Sequence, residues 1–290
     1  MFEGAYTAII TPFSQNGSVD YGKLKELIEI QIEKGIDGIV PVGTTGESPT
    51  LNHDEHKKVI EETVKVCNGR VKVIAGTGAN ATSEAVEFTR FASEIGADGS
   101  LQVTPYYNKP SQEGLKRHFL TIAEIGLPIV LYNIPSRSGI EISVETVVEL
   151  YKHPKIAALK EAGGKVKRVS EILSECDICI VSGDDSLALP MMSVGAKGVI
   201  SVAANVVPEA VADMVHFALN GQWAEAREVH QKYFRLFTAL FLDTNPIPVK
   251  AALASMGKIT EAYRLPLCSM SKERKEKQTN CLKTLNLLPG

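Results

Sequence analysis

Short runs of β-branched and small apolar residues alternate along the chain with longer stretches in which apolar positions recur every three or four residues. The short runs are TAIITPF (7–13), GIVPVGTT (38–45), KVIAGTG (72–78) and GSLQVTPYY (99–107), then PIVLYNIP (128–135), IAALKEAG (156–163), ICIVSGDD (178–185) and GVISVAANV (198–206). They close on Gly, Pro, Thr or Asn and their neighbours, residues that stop a strand and open a loop. Helix-period segments lie between them: 20–35, with Leu24, Leu27, Ile28 and Ile32 on one face and Gly35 as a stop, then 53–67, 83–96, 112–126 and 143–153. Strand then helix, repeated, requires parallel pairing, because each helix returns the chain to the edge where the next strand starts. The pattern predicts an α/β fold, a (β/α)8 TIM barrel over residues 1–207, followed by a C-terminal helical region over 208–290. In that region PEAVADMVHFAL and WAEAREVHQKYFRLFTALF have helical periodicity and no further strand run occurs. A doubly wound open sheet is the competing topology.

Composition narrows the partners. The 31 Lys+Arg against 34 Asp+Glu give a net charge of −3, so no broad positive field exists to hold a nucleic-acid backbone. The run SKERKEK (271–277) is interleaved with Glu273 and Glu276 and reads as a solvated helix face. No stretch approaches the ~20 apolar residues that span a bilayer, and the start of the chain, acidic at Glu3, lacks the basic and apolar regions of a secretory signal. Five cysteines, an odd number in a chain large enough to need no staples, fit a reducing cytoplasm. Cys176 and Cys179 form a lone C-x-x-C within an apolar context, which reads as core sooner than as a zinc or redox pair.

In a barrel the chemistry stands at the C-terminal ends of the strands, and side chains alternate in and out with period two. Around the sixth strand, Ile156, Ala158 and Lys160 share one face and Ala157 and Leu159 the other, so Lys160 projects into the mouth. Among apolar neighbours its charged form is disfavoured and the free amine becomes a nucleophile toward carbonyls. The competing reading pairs Lys160 with Glu161, but alternation turns Glu161 away. Val130, Tyr132 and Ile134 reach the same mouth from strand five, and the Tyr132 phenol can shuttle protons there without adding charge; a core tyrosine is its alternative. Gly43, Thr44, Thr45, Gly46 and Glu47 end strand two, where two hydroxyls beside exposed amides form a cradle for a small carboxylate or an oxyanion.

Two absences and one decoy restrict the reaction. The histidines, at 53, 56, 118, 153, 216 and 230, all fall outside the predicted strands, so no catalytic metal is called for, and no cofactor. Gly183-Asp184-Asp185 places two acids where many barrels bind phosphate. Residues 76–81 match a relaxed G-x-G-x-x-A, but they follow the third strand and the next strand supplies no acid for a ribose. Amine-based carbon–carbon chemistry on a small oxo-acid remains.

The runs VGTTGESPTLNHDEH (42–56), VIAGTGANAT (73–82), VTPYYNKPSQEG (103–114), YNIPSRSG (132–139), KEAGG (160–164), SGDD (182–185), GVISVAANV (198–206) and NPIPVK (245–250) together resemble the dihydrodipicolinate synthases of the class I pyruvate-dependent aldolase/lyase superfamily. The resemblance implies a lyase that condenses pyruvate with L-aspartate 4-semialdehyde in the diaminopimelate route to lysine. It implies a Schiff base on Lys160, a proton relay of Thr44, Tyr132 and Tyr107, and Tyr107 reaching in from the neighbouring subunit of a tight dimer, two dimers forming a homotetramer. It assigns pyruvate contacts to Thr45 and Ile200 and the semialdehyde carboxylate to Arg137. Ser48, His53, His56, Asn80, Glu84 and Tyr106 match an allosteric pocket for L-lysine, although read alone His53 and His56 are exposed residues on one face of a helix start, capped by Asn52. Gly163 departs from the family, which more often has Ser or Thr there. N-acetylneuraminate lyase and the 2-keto-3-deoxy sugar-acid aldolases, which share fold, lysine and tyrosine, are the alternatives.

Overall fold

The computed structural model of the chain describes residues 2–288. Its elements run β1 (Gly4–Ala8), α1 (Tyr21–Glu33), β2 (Gly38–Val40), α2 (His53–Cys67), β3 (Lys72–Gly76), α3 (Thr82–Glu94), β4 (Gly99–Val103), α4 (Gln112–Ala123) and β5 (Ile129–Asn133). A four-residue turn of helix, α5 (Pro135–Ser138), precedes α6 (Val144–Tyr151), β6 (Ile156–Glu161), α7 (Val166–Leu173), β7 (Cys179–Ser182), α8 (Asp185–Met192) and β8 (Gly198–Ser201). Then come α9 (Pro208–Leu219), α10 (Trp223–Ala239), α11 (Ile247–Ser255) and α12 (Lys272–Thr284). Every strand pairs in parallel with its sequence neighbour and β1 pairs with β8, so the sheet closes into a barrel as the alternation requires. The open-sheet alternative is excluded.

Burial explains why the strands read as unbroken apolar runs. One set of alternate residues, among them Tyr6, Val40, Ile74, Leu101, Val130, Val181 and Ile200, fills the interior. The other set, including Ala5, Ile39, Val73, Leu131, Leu159 and Val199, packs against the helices. Both faces are dry, which is usual for parallel sheets. Side chains of Asp20, Asn52, Ser111, Ser143 and Asp184 cap helix starts, and Asn52 with Glu55 makes a reciprocal capping box. Each such cap contributes about 1 kcal/mol.

Three expectations need correction. Strands end earlier than the apolar runs suggest: β2 stops at Val40, not Thr45, and β8 at Ser201, not Val206. Strand one lies at Gly4–Ala8, displaced toward the N-terminus from 7–13. In β6, register slips opposite Ile129 and Val130, so that Ile156 joins the helix-side cluster while Ala157 and Ala158 both join the interior. Strict alternation fails at that irregularity and resumes beyond it, leaving Ala158 and Lys160 in phase.

Helix α9 packs on β1 and β8 and closes the helical ring. The boundary expected at 207/208 therefore falls between the last strand and the helix that covers it. Helices α10, α11 and α12 follow, and α11 is buried along most of its length. Helix α12 is mostly exposed and carries the charged run at 271–277 as a solvated face. Among the described residues no helix is long and apolar enough to cross a membrane, and no cluster of His, Cys, Asp and Glu could hold a metal. Cys176 and Cys179 are both free thiols.

Candidate active site

Lys160 stands near the end of β6, in register with Tyr132 on β5 and Val181 on β7. It is 6% exposed, and its Nζ lies 4.2 Å from the centre of the Tyr132 ring. Among the described residues no carboxylate forms an ion pair with it. Glu161 points outward, as alternation requires, to a buried partner, Arg168, at 2.9 Å and to Asn133 at 2.9 and 3.0 Å. Burial thus acts on an uncompensated ammonium and lowers its pKa to about 7, Asp185 pulling it upward and Arg137 downward. A large share of this amine is neutral at physiological pH. Gly183 makes room for it, since a Cβ there would come 3.0 Å from Lys160 Cε and 2.7 Å from the Ala162 methyl.

Asp185 opens α8 and is 2% exposed. Its carboxylate accepts hydrogen bonds from the Ser201 hydroxyl and from the backbone N–H groups of Val202 (3.1 Å) and Ala203 (3.0 Å). Burial nevertheless raises its pKa to about 6. The acids after strand seven thus shape the end of β8 and the electrostatics of Lys160, a role that sequence position did not reveal.

Tyr132 is 4% exposed; burial raises its phenol pKa, and the polar Thr44 side chain nearby opposes the rise. Both residues line a cavity of about 200 Å³, with Leu101, Val103 and Ile134 as apolar wall and Arg137 at its edge. That is small beside the ~300–1,000 Å³ of drug-sized ligand pockets and suits a short oxo-acid. The Arg137 guanidinium donates to the Asn245 carbonyl (2.9 Å), and the Asn245 side-chain NH2 donates to Thr45 Oγ1 (3.0 Å). Sequence reasoning named Thr45 and Arg137 but missed Asn245, which joins them across the chain. Ile200 lies in the barrel interior, with Tyr132 in the same cluster.

The glycines of the dinucleotide-like run have another purpose. A Cβ at Gly76 would meet the Val42 carbonyl oxygen at 2.2 Å, and one at Gly78 the Val103 nitrogen at 2.4 Å. They let the loop after β2 touch the end of β3, and the loop after β3 touch the end of β4, backbone to backbone beside the cavity.

Tyr107 is not brought to Lys160 by its own chain. It is 91% exposed and holds a left-handed φ of 72°, while its neighbour Tyr106, 37% exposed, lines the cavity with Ser48. The remaining four residues matched to an effector pocket lie nearby. Asn80 donates to the Tyr106 carbonyl (3.3 Å), and Glu84 pairs with His53 (3.0 Å). The two histidines differ, contrary to the expectation that both are exposed. His53 is on the surface, whereas His56 is 4% exposed, stacked on Phe88, and donates from Nε2 to the Gly76 carbonyl at 2.8 Å. Burial lowers the His56 pKa to about 4, so the ring is neutral. Asn52 caps the helix as expected.

A family model described as the dihydrodipicolinate synthetase family matches residues 1–285. The 4-hydroxy-tetrahydrodipicolinate synthase of Methanocaldococcus jannaschii is 54% identical over 290 residues, covering 99% of this chain and all of that one. Two solved structures superpose closely. The chloride-inhibited dihydrodipicolinate synthase of Acinetobacter baumannii, complexed with pyruvate, has a TM-score of 0.97 at 43% identity, over 99% of this chain and 100% of that one. The enzyme of Cyanidioschyzon merolae with lysine bound has a TM-score of 0.95 at 40% identity, over 99% of each chain.

Proposed function

The chain belongs to the dihydrodipicolinate synthetase family, and from that premise we propose that it condenses pyruvate with L-aspartate 4-semialdehyde to give 4-hydroxy-tetrahydrodipicolinate, a lyase reaction through a Schiff base on Lys160. The observation that carries the reading is a buried lysine with no ion-pair partner among the described residues, lying over a tyrosine at the mouth of the barrel. The neutral amine adds to C2 of pyruvate, and the carbonyl oxygen leaves as water. Loss of a C3 proton gives the enamine. Its carbon attacks the aldehyde, whose oxygen takes up a proton and becomes the hydroxyl. The amino group of the semialdehyde then attacks the C2 imine, which closes the ring and releases Lys160 as the free amine.

Tyr132, with Thr44 in the same cavity, moves these protons; Thr45 and the turn beside it hold the pyruvate carboxylate; Ile200 packs against pyruvate; and Arg137 selects the semialdehyde by its carboxylate. Neither the Thr44 nor the Thr45 amide donates to a backbone carbonyl among the described residues, so both remain for a ligand. Tyr107, fully presented to solvent, completes the relay of a second copy in a tight dimer, and two dimers make a homotetramer. L-lysine acts as effector at Ser48, Asn80, Glu84 and Tyr106, with His53 at the rim and His56 supporting the floor. The family match supports this reading over the sialic-acid and sugar-acid lyases.

Borohydride reduction with pyruvate, followed by peptide mass mapping, should place one adduct on Lys160. An adduct on another lysine, or efficient cleavage of N-acetylneuraminate, overturns the assignment.

A further inference from the structure

The turn that carries Thr44 and Thr45 is held in an unfavourable shape. Val42 and Glu47, at its two ends, have left-handed φ values of 55° and 57°, which non-glycine residues adopt only where their surroundings impose it. Local bonds are part of the restraint: Gly46 and Glu47 amides donate to the Gly43 and Thr44 carbonyls, and Thr11 Oγ1 donates to the Gly46 carbonyl (2.7 Å). The rest comes from far along the chain. The carboxylate of Glu47 and the ammonium of Lys250 form an ion pair in which both side chains are 0% exposed. Lys250 Nζ lies 4.1 Å from the Phe13 ring centre and 5.5 Å from that of Tyr263. Lys250 bonds Glu47 Oε1, and the buried Oε2 has no hydrogen-bond partner among the described residues, so Lys250 is what fixes this carboxylate.

Asn245, just ahead of α11, meanwhile reaches Thr45. Residues 245 and 250 therefore grip positions 45 and 47 of one turn from the same side. Between them Gly46 packs too tightly for a side chain, a Cβ there falling 2.9 Å from the Val42 nitrogen.

We propose that the buried Glu47–Lys250 pair is a positioning device for pyruvate: it draws Glu47 inward and thereby holds the Thr44–Thr45 turn in the shape that receives the substrate carboxylate. The proposal rests on the reading of that turn as the pyruvate cradle. Glu47 and Lys250 touch no substrate and are positioning residues. An ion pair serving stability alone would affect unfolding and leave pyruvate recognition untouched.

The test compares the native protein with Glu47→Gln, which keeps size and an acceptor for Lys250, and with the double variant Glu47→Gln/Lys250→Met, which removes both charges and retains volume. Three quantities are read: the pyruvate concentration for half-maximal borohydride trapping on Lys160, KM for the semialdehyde, and hydrogen exchange of the amides at 43–48. We expect half-saturation in pyruvate to rise about tenfold in the double variant and less in Glu47→Gln, with faster exchange at 43–48, the semialdehyde KM within about twofold, and trapping still on Lys160. Native half-saturation with native exchange in the double variant overturns the proposal, as does an equal rise for both substrates. If the native protein is not trapped by pyruvate, the catalytic reading falls, while exchange at 43–48 still decides whether the pair shapes the turn.

Discussion

Lys160 lies at the mouth of the barrel, 6% exposed and over the Tyr132 ring; Lys250 lies where α11 meets the loop after β2, 0% exposed and over the Phe13 ring. Residue type, burial and an aromatic neighbour are shared. The difference is a carboxylate. Lys250 has Glu47 against its ammonium, whereas the acid beside Lys160 in sequence, Glu161, is turned outward to Arg168. Burial pulls both lysines below the ordinary range, but at Lys250 the Glu47 charge opposes it directly, and at Lys160 the opposing charge, Asp185, is not in ion-pair contact and is itself raised toward neutrality by burial. Desolvation alone does not make a nucleophile; desolvation without a counter-ion does.

The largest effect expected from this contrast is catalytic. Lys160→Met should end borohydride trapping and lower turnover by on the order of 10⁴-fold or more, since no other group supplies the amine. Turnover within about tenfold of native would break the comparison at its centre. Next comes Tyr132→Phe, which keeps the ring against Lys160 and removes the proton carrier. It should lower kcat by about 10²–10³-fold and move the pyruvate half-saturation little. A rise in half-saturation at unchanged kcat would make Tyr132 a binding residue.

Stability should move in opposite directions at the two lysines. Lys250→Met strands the Glu47 charge in the interior and should cost about 3–5 kcal/mol, read by urea unfolding. Lys160→Met removes a group whose pKa falls from the ordinary lysine value in the unfolded chain to about 7 in the folded one. Between those values the unfolded chain binds the extra proton, so native stability rises with pH across that window and the penalty of burying Lys160 is fully present below about pH 7. Lys160→Met should therefore stabilise the protein most at pH 6 and least at pH 10. The same titration predicts that the initial rate of imine trapping rises with pH and levels above about 7. A rate that is flat from pH 5 to 9 would show that Lys160 is not the titrating group.

The contrast between the lysines was only half legible in the sequence. Lys160 and Tyr132 could be placed because both sit on adjacent strands, where period-two alternation decides which way a side chain faces, and the slip in β6 falls before Ala158 and leaves Lys160 in phase. The Glu47–Lys250 pair spans 203 residues, and no local rule relates a loop after the second strand to a helix beyond the barrel. Asn245 and Asp185 were hidden for the same reason: their partners, Thr45 and the Ser201–Ala203 segment, become neighbours only when the barrel closes. The strand ends were overrun because the loops at the mouth are themselves buried, so residues such as Val42, Val202 and Val206 continue the apolar run after the ladder has stopped. Tyr107, expected in the relay from the family resemblance, stands 91% exposed at a position that one chain does not bring to the site.

The smallest expected effect concerns the partition between Lys160 and Glu161, on which the comparison depends. Gly163 donates its amide to Glu161 Oε1 at 2.6 Å, and a Cβ at 163 would lie 2.7 Å from that oxygen and 3.3 Å from Asn133 Nδ2. The Ser or Thr that the family resemblance leads one to expect at 163 therefore presses on a carboxylate already fixed by Arg168 and Asn133. Gly163→Ser should overpack this cluster and cost about 1–3 kcal/mol. Glu161 can yield only among the groups that hold it, on the outer side of β6, and Lys160 stands on the inner side of the same strand. The pH midpoint of imine trapping should accordingly stay near 7 in Gly163→Ser while the urea midpoint falls. If the trapping midpoint rises instead, the displaced carboxylate reaches the amine through the strand, Lys160 has a latent counter-ion, and the distinction drawn between the two buried lysines becomes one of degree.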